Sequence, residues 1–206
     1  MKKFLFILSG LIPIILSFFG MGTVLVWYSF FVFLSFFKKR LIPVMGRVPI
    51  PAFLFFFLFV WGLGLATEAV FWSDIYLLGI GESEDIDGRN HNLWVHLSMY
   101  WGFYGSIALA WTCALRWFRF TLPQVFVTQG IAGFTVEQNF AVLLAAFADP
   151  RGVIWFPYLA AVYSPLVVIP FMLLQERIDQ RSRRDHWIKY PLILFLQIII
   201  MSLLTI

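Results

Sequence analysis

The chain has 206 residues, of which 61% are hydrophobic and 13% are charged, and its mean hydropathy is +0.86. This composition fits a polytopic membrane protein far better than a soluble domain. The formal net charge of +4 could indicate nucleic-acid binding, but positive-inside topology explains the short basic clusters between apolar stretches. We therefore expect the lipid bilayer as a partner and no nucleic acid. The single cysteine, Cys113, excludes a disulfide framework.

The first 37 residues contain a basic start and two apolar runs, residues 4–19 and 23–37, separated by a glycine-containing turn. Together they are too long for one crossing at roughly 20 residues per span. No small-residue cleavage site follows the first run, so a removable signal peptide is not predicted. We predict a helical hairpin with both ends cytoplasmic. A re-entrant hairpin is the alternative because each arm is short.

Five more helices are predicted after a proline-containing connection at residues 43–51. Their expected ranges are about 50–73, 93–118, 121–148, 153–174 and 190–206. The fold prediction is an all-α, polytopic bundle of about seven transmembrane helices, with six spans plus a re-entrant hairpin as second choice. We predict a single transmembrane domain over residues 1–206, with a possible pseudo-repeat of helices 50–118 and 121–189.

The distribution of charge predicts the orientation of the chain. With the amino terminus inside, every lysine and arginine except Arg89 and Arg151 falls on the cytoplasmic side. This asymmetry follows the positive-inside rule, so the amino terminus is predicted to be cytoplasmic and the carboxyl terminus outside. The compact loops favour a prokaryotic plasma (inner) membrane.

Two apolar segments carry the same pattern of a glycine and a carboxylate. Gly64-x-x-x-Glu68 recurs as Gly133-x-x-x-Glu137, and a phenylalanine follows each acid three residues later. An ionisable group at membrane depth is costly, so each glutamate indicates a functional site. No lysine or arginine lies in the interior of the predicted spans, since Arg116 falls at the end of its helix. Each acid must therefore be protonated, hydrogen-bonded to polar side chains, or paired with a group outside this chain.

Small residues let helices approach closely, so these glycines are predicted to face neighbouring helices and to turn the acids inward. The glycines with this predicted packing role are Gly64, Gly130 and Gly133. We expect an outward-half polar pocket, walled by the third to sixth helices, that binds a ligand or a proton. Its predicted residues are Glu68, Glu137, His96, Tyr100, Gln138, Asn139, Tyr163 and Ser164.

Several chemistries lack their motifs. There is no H-E-x-x-H, no G-x-S-x-G and no glycine-rich phosphate loop, so we predict no metal site and no cofactor. Residues 130–140 resemble in part the Glu-Glu-x-x-x-Arg motif of the CAAX-type intramembrane glutamic proteases. Val136 and Ala141 stand where that family has its first glutamate and its arginine, so we do not assign the chain to it.

Three classes of function remain open from the sequence. We favour the binding or transport of a small cationic ligand, a cation or a proton, since no nucleophile or metal motif supports chemistry. The first alternative is an intramembrane enzyme on a lipid or isoprenoid, with one carboxyl as acid and the other as base. The second is a non-catalytic accessory subunit, associated with a membrane protein partner or with copies of itself.

Overall fold

A computed structural model describes residues 2–17, 25–77, 92–136, 144, 155–178 and 184–204. These residues form seven α-helices and no strand, so the prediction of an all-α chain is confirmed. The helices are α1 (Lys2–Ser17), α2 (Val26–Gly46), α3 (Ala52–Tyr76), α4 (Leu93–Trp117), α5 (Leu122–Val136), α6 (Trp155–Leu174) and α7 (Lys189–Leu204).

Two helix ends bear on the predicted site. α3 continues to Tyr76 instead of stopping at residue 73, and the rings of Trp72 and Tyr76 pack one turn apart with centroids at 5.7 Å. α5 is described to Val136. Glu137, Gln138 and Asn139 therefore lie outside the described residues.

α6 lies at the centre of the bundle. Residues 162–174 of this helix are all buried, and it packs against α5, α2 and α3. A helix that is apolar on every side belongs in an interior of this kind. Pro165 and Pro170 interrupt its backbone hydrogen bonding. Ser164, directly before Pro165, donates a hydrogen bond from its hydroxyl to the Phe126 carbonyl of α5 at 2.7 Å. The contact ties α6 to α5.

The other helices are arranged around this centre. α4 packs against α3 and α7, and α1 packs against α2. The contacts between α1 and α2 run in antiparallel order: the rings of Phe6 and Phe36 lie 6.0 Å apart, and the hydroxyls of Ser9 and Tyr28 lie 3.1 Å apart. The first two helices therefore form a hairpin.

The connections after α2, α4 and α6 meet at one end of the bundle, which we call the basic end. Arg177, just after α6, donates hydrogen bonds to the carbonyls of Met45, at 2.9 Å, and Ile50. The backbone of Arg119 donates to the carbonyl of Arg184 at 2.8 Å. Every lysine and arginine that the structure describes lies in this half of the bundle.

Lys189 anchors the start of α7 at the basic end. It is buried, with 1% of its surface exposed, and its ammonium group donates to Asp185, to the Arg119 carbonyl and to Gln124. The same group lies 4.9 Å from the centre of the Phe120 ring. A buried charge is tolerated when it is fully hydrogen-bonded in this way.

Two described helices are long and apolar enough to cross a membrane, namely α3 and most of α6. α1 and α7 are also apolar but shorter. The two long helices differ in their surroundings, because α6 is enclosed by other helices whereas much of α3 remains accessible.

Glycine packing in α5 can be tested with a matched pair of substitutions. A Cβ atom on Gly130 would lie 2.8 Å from Ala160 Cβ, whereas one on Gly62 in α3 would have no described atom within 4 Å. We expect Gly130→Ala to lower the free energy of unfolding by about 1–3 kcal/mol through overpacking. Gly62→Ala should leave it unchanged or raise it by up to about 1 kcal/mol. Denaturant unfolding in detergent measures both, and equal effects would contradict the close α5–α6 contact.

The Lys189–Asp185 pair predicts an acid-sensitive contribution to stability. The hydrogen bond from the Lys189 ammonium, at 2.6 Å, and its charge hold the pKa of Asp185 below its ordinary value of 3.8. This contribution is fully present above pH 3.8 and is lost as the pH falls through the lower pKa of the folded state.

The unfolding temperature of the native chain should therefore drop relative to that of Asp185→Asn as the pH is taken below 3.8. The effect should be small because Asp185 is exposed. Glu176→Gln, which changes another exposed acid at the same end, is the control and should retain the native pH dependence. Identical pH profiles for the native chain and Asp185→Asn would refute this role of the pair.

Candidate functional site

A buried carboxylate cluster lies between α3 and α4, in the half of the bundle opposite the basic end. The Tyr104 hydroxyl donates a hydrogen bond to Glu68 Oε1 at 2.5 Å, and His96 Nε2 lies 3.0 Å from Glu68 Oε2. His96 is 4% exposed and Tyr104 is 2% exposed. We call these three residues the Glu68 cluster. Each oxygen of the carboxylate has its own partner from α4.

The local sequence explains how the cluster is assembled. His96 and Tyr104 are eight residues apart on α4, a spacing that places both on one side of a helix. Gly64 precedes Glu68 by one turn, and a side chain there would overlap the Tyr104 ring. The missing side chain lets the ring lie flat along α3, which brings its hydroxyl to Glu68. Because α3 continues to Tyr76, Glu68 lies about 12 Å from the end of its helix.

Two proton arrangements fit the contact between His96 and Glu68. An ionised carboxylate only accepts hydrogen bonds, so with Glu68 ionised His96 Nε2 donates and Nδ1 is an acceptor. With the carboxyl protonated, Glu68 donates to Nε2 and Nδ1 carries the proton of the ring. In both arrangements His96 Nδ1 is buried and has no hydrogen-bond partner among the described residues.

The other predicted site residues fall into two groups. Tyr100 lies beside the Glu68 cluster, with its ring centre 4.9 Å from that of His96, and 38% of its surface is exposed. Tyr163 and Ser164 lie on α6 at its contact with α5. The structure thus brings His96 to Glu68 and Tyr100 to His96, and it places Tyr163 and Ser164 at a separate helix contact.

The glycines with a predicted packing role in α3 and α5 lie in similar surroundings. Gly64 lies against the Tyr104 ring, and Gly133 lies against the Tyr163 ring; Gly130 lies against Ala160 and Ser164. Phe103 connects the two places, with ring centres 5.0 Å from Tyr104 and 6.1 Å from Tyr163. In each unit of the predicted pseudo-repeat, a glycine of the first helix therefore faces a tyrosine of the second helix. The pseudo-repeat itself stays a prediction.

Sequence reasoning missed several polar residues that the fold buries. Tyr104 is the hydroxyl partner of Glu68, and its spacing of two helical turns from His96 was a signal that could have found it. Trp111 of α4, Gln129 of α5 and Gln197 of α7 form a second buried network. Two glutamines inside apolar helices are unusual enough to have indicated this network.

Metal chemistry finds no support in the described part of the chain, where no group of three histidine, cysteine or acidic side chains could hold an ion. The Glu68 cluster is built from hydrogen-bonding side chains. It combines a carboxylate, an imidazole and a phenol, and it is largely shielded from solvent.

The hydrogen bond from Tyr104 to Glu68 can be measured by Tyr104→Phe. We expect a loss of about 1.5–3 kcal/mol in the free energy of unfolding, since the hydroxyl donates to a charged acceptor while the ring that packs on Gly64 is retained. Tyr28→Phe is the matched control, because it removes a hydroxyl that bonds the neutral Ser9, and should cost about 0.5–1.5 kcal/mol. A loss in Tyr104→Phe no greater than in the control would show that Glu68 is not held as a charged acceptor.

Comparison with known proteins identifies no relative that could assign a role to this cluster. No protein-family model matches the chain, and no curated protein or solved structure matches it. Functional inference therefore depends on the geometry of the chain itself.

Proposed function

We propose that this chain is a multi-pass membrane protein of seven spans that binds a proton at the Glu68 cluster and transfers it within the outer half of the membrane. The observation that carries the proposal is the Glu68 carboxylate, whose side chain is only 12% exposed. It is bonded to Tyr104 and His96 and remote from every described lysine and arginine. The sequence left a small cationic ligand, a cation and a proton open as the bound species, and we propose the proton.

Exposed tryptophans support the membrane assignment. Trp94 and Trp117, at opposite ends of α4, are 77% and 61% exposed. Their separation along the helix is about 34 Å at 1.5 Å per residue. This distance slightly exceeds the hydrocarbon thickness of about 30 Å, so both indoles would lie at the membrane–water interfaces where tryptophan is enriched.

The apolar outer surface gives independent support. Large hydrophobic side chains are exposed along whole helix faces, an arrangement that is unstable in water but suited to lipid. On α1 and α7 these residues are Phe4, Leu5, Ile7, Leu8, Leu11, Ile12, Ile15, Phe195, Ile199 and Leu203. Lipid contact also explains why α1 packs mainly against one helix, α2.

The basic end supports the orientation. Lysine and arginine concentrate on the cytoplasmic side of membrane proteins, so the end with Arg177, Arg184 and Lys189 would face the cytoplasm. The Glu68 cluster lies in the opposite half and would then be closer to the outside. A prokaryotic plasma membrane, predicted from the compact loops, is consistent with this orientation.

The chemistry of the cluster favours a proton over a larger cation. The Glu68 oxygens already have partners, and with the carboxylate ionised the vacant acceptor is one ring nitrogen, His96 Nδ1. A proton on Nδ1 converts the cluster into an imidazolium–carboxylate pair with no net charge, the state that a buried site stabilises. A metal ion would need several more oxygen or nitrogen ligands. Glu137 is predicted to take part, although it lies outside the described residues.

Proton transfer can be tested in vesicles that contain the purified full chain and a pH-sensitive dye. With a potassium gradient and valinomycin as the driving force, we expect proton flux with the native chain. Glu68→Gln and His96→Gln should reduce it to the level of protein-free vesicles, because each removes a proton-binding group. Glu176→Gln, an exposed acid at the basic end, should retain native flux.

The result also distinguishes the proposal from the alternatives predicted from sequence. If Glu68→Gln folds with native stability and flux is unchanged, the proton-transfer proposal is wrong. If the native chain carries no flux and Glu68→Gln chiefly reduces stability, the cluster is structural, as in an accessory subunit. Nitrogen NMR of the His96 ring adds a direct readout, since proton uptake at Nδ1 shifts its resonance.

A further inference from the structure

The second polar network lies in the interior, where α4, α5 and α7 meet. The Trp111 indole nitrogen donates a hydrogen bond to Gln129 Oε1 at 2.6 Å, and Gln197 Nε2 donates to the same oxygen at 3.0 Å. Gln129 is 0% exposed and Gln197 is 2% exposed. Both amides are therefore removed from bulk solvent and from lipid.

The indole determines the orientation of both amides. Oxygen and nitrogen of a glutamine side chain are assigned from their partners, and an indole N–H can only donate. The Gln129 atom that faces Trp111 must therefore be the oxygen. Because Gln197 contacts that same oxygen, its facing atom must be the nitrogen. The identity of the two remaining amide atoms follows.

Those two atoms are Gln129 Nε2, a donor, and Gln197 Oε1, an acceptor. Both are buried, and neither has a hydrogen-bond partner among the described residues. An unsatisfied buried polar atom costs about 1–3 kcal/mol, so two in one network call for a partner. The amides that carry them are joined by the 3.0 Å bond, so the two atoms belong to neighbouring groups of one network.

We propose that Gln129 Nε2 and Gln197 Oε1 bind a single resident water molecule. The water accepts from Gln129 Nε2 and donates to Gln197 Oε1, which completes a closed hydrogen-bonded ring with the direct bond between the two amides. A cation would be repelled by the amide donor, and an anion by the amide oxygen. Both side chains are almost completely enclosed, which favours a small occupant. A neutral molecule with one donor and one acceptor is the class that matches.

The network of Trp111, Gln129 and Gln197 is separate from the proposed proton site. It concerns α5 and α7 together with Trp111, whereas the Glu68 cluster belongs to α3 and to earlier turns of α4. The water gives α7 a second polar attachment in the interior, in addition to Lys189 at the basic end. Its presence would link the last helix to α5 more firmly than the single amide bond does.

A high-resolution structure of the full chain in a lipid nanodisc is the primary test. We expect an ordered density within hydrogen-bonding distance of both Gln129 Nε2 and Gln197 Oε1. A direct bond between these two atoms, a protein group bonded to them, or no density between them would overturn the proposal. This test uses the native chain and does not depend on the folding of a variant.

NMR of the chain with nitrogen-labelled glutamine provides the second measurement. A cross-peak from the Gln129 side-chain amide protons to water is expected, although this side chain has no exposed surface. Gln197→Met removes the water's acceptor and should abolish the cross-peak. Gln175→Met, at the end of α6 and outside the network, should retain it. Absence of the cross-peak in the native chain, or its persistence in Gln197→Met, would contradict the resident water.

Discussion

The hydrogen bonds on Glu68 are the constraint on which the arrangement of α3 and α4 depends. A carboxylate among apolar helices is tolerated when its charge is compensated by nearby donors. Tyr104 donates to one carboxylate oxygen, and His96, two turns earlier on the same helix, forms a hydrogen bond with the other. The rotation and the separation of α3 and α4 are fixed together, since Gly64 must lie against the Tyr104 ring for its hydroxyl to reach Glu68.

The same requirement explains the other polar contacts of the bundle. Lys189 is surrounded by a carboxylate, a carbonyl and an amide at the start of α7, and Arg177 bonds two carbonyls between α2 and α3. Apolar packing alone does not determine how two hydrophobic helices are rotated against each other, because many rotations bury a similar apolar surface area. Polar groups with few acceptable partners make that choice, and each lies where separate segments of the chain meet.

How far the sequence predicts this structure depends on the range of the interaction. Helices are predicted from apolar runs because the signal is local, and Glu68 and His96 are predicted from the cost of a polar group in an apolar segment. The helical spacing from His96 indicates both Tyr100 and Tyr104 as candidate partners of Glu68, and the rotation of α4 decides between them. Gln129 and Gln197 are far apart in sequence, and their pairing depends on how α5 and α7 pack. Glu137 remains a prediction, outside the described residues.

The location of the Glu68 cluster bears on its use. His96 and Arg116 are on the same helix, about 30 Å apart at 1.5 Å per residue, so no described basic side chain on α4 approaches the carboxylate. A permanent ion pair with lysine or arginine would stabilise Glu68 in one charge state and leave it inert. An imidazole partner has no fixed positive charge of this kind. Separation from the basic end therefore leaves Glu68 with hydrogen-bonding partners instead of a permanent cation, which is the condition that the proposed transfer site requires.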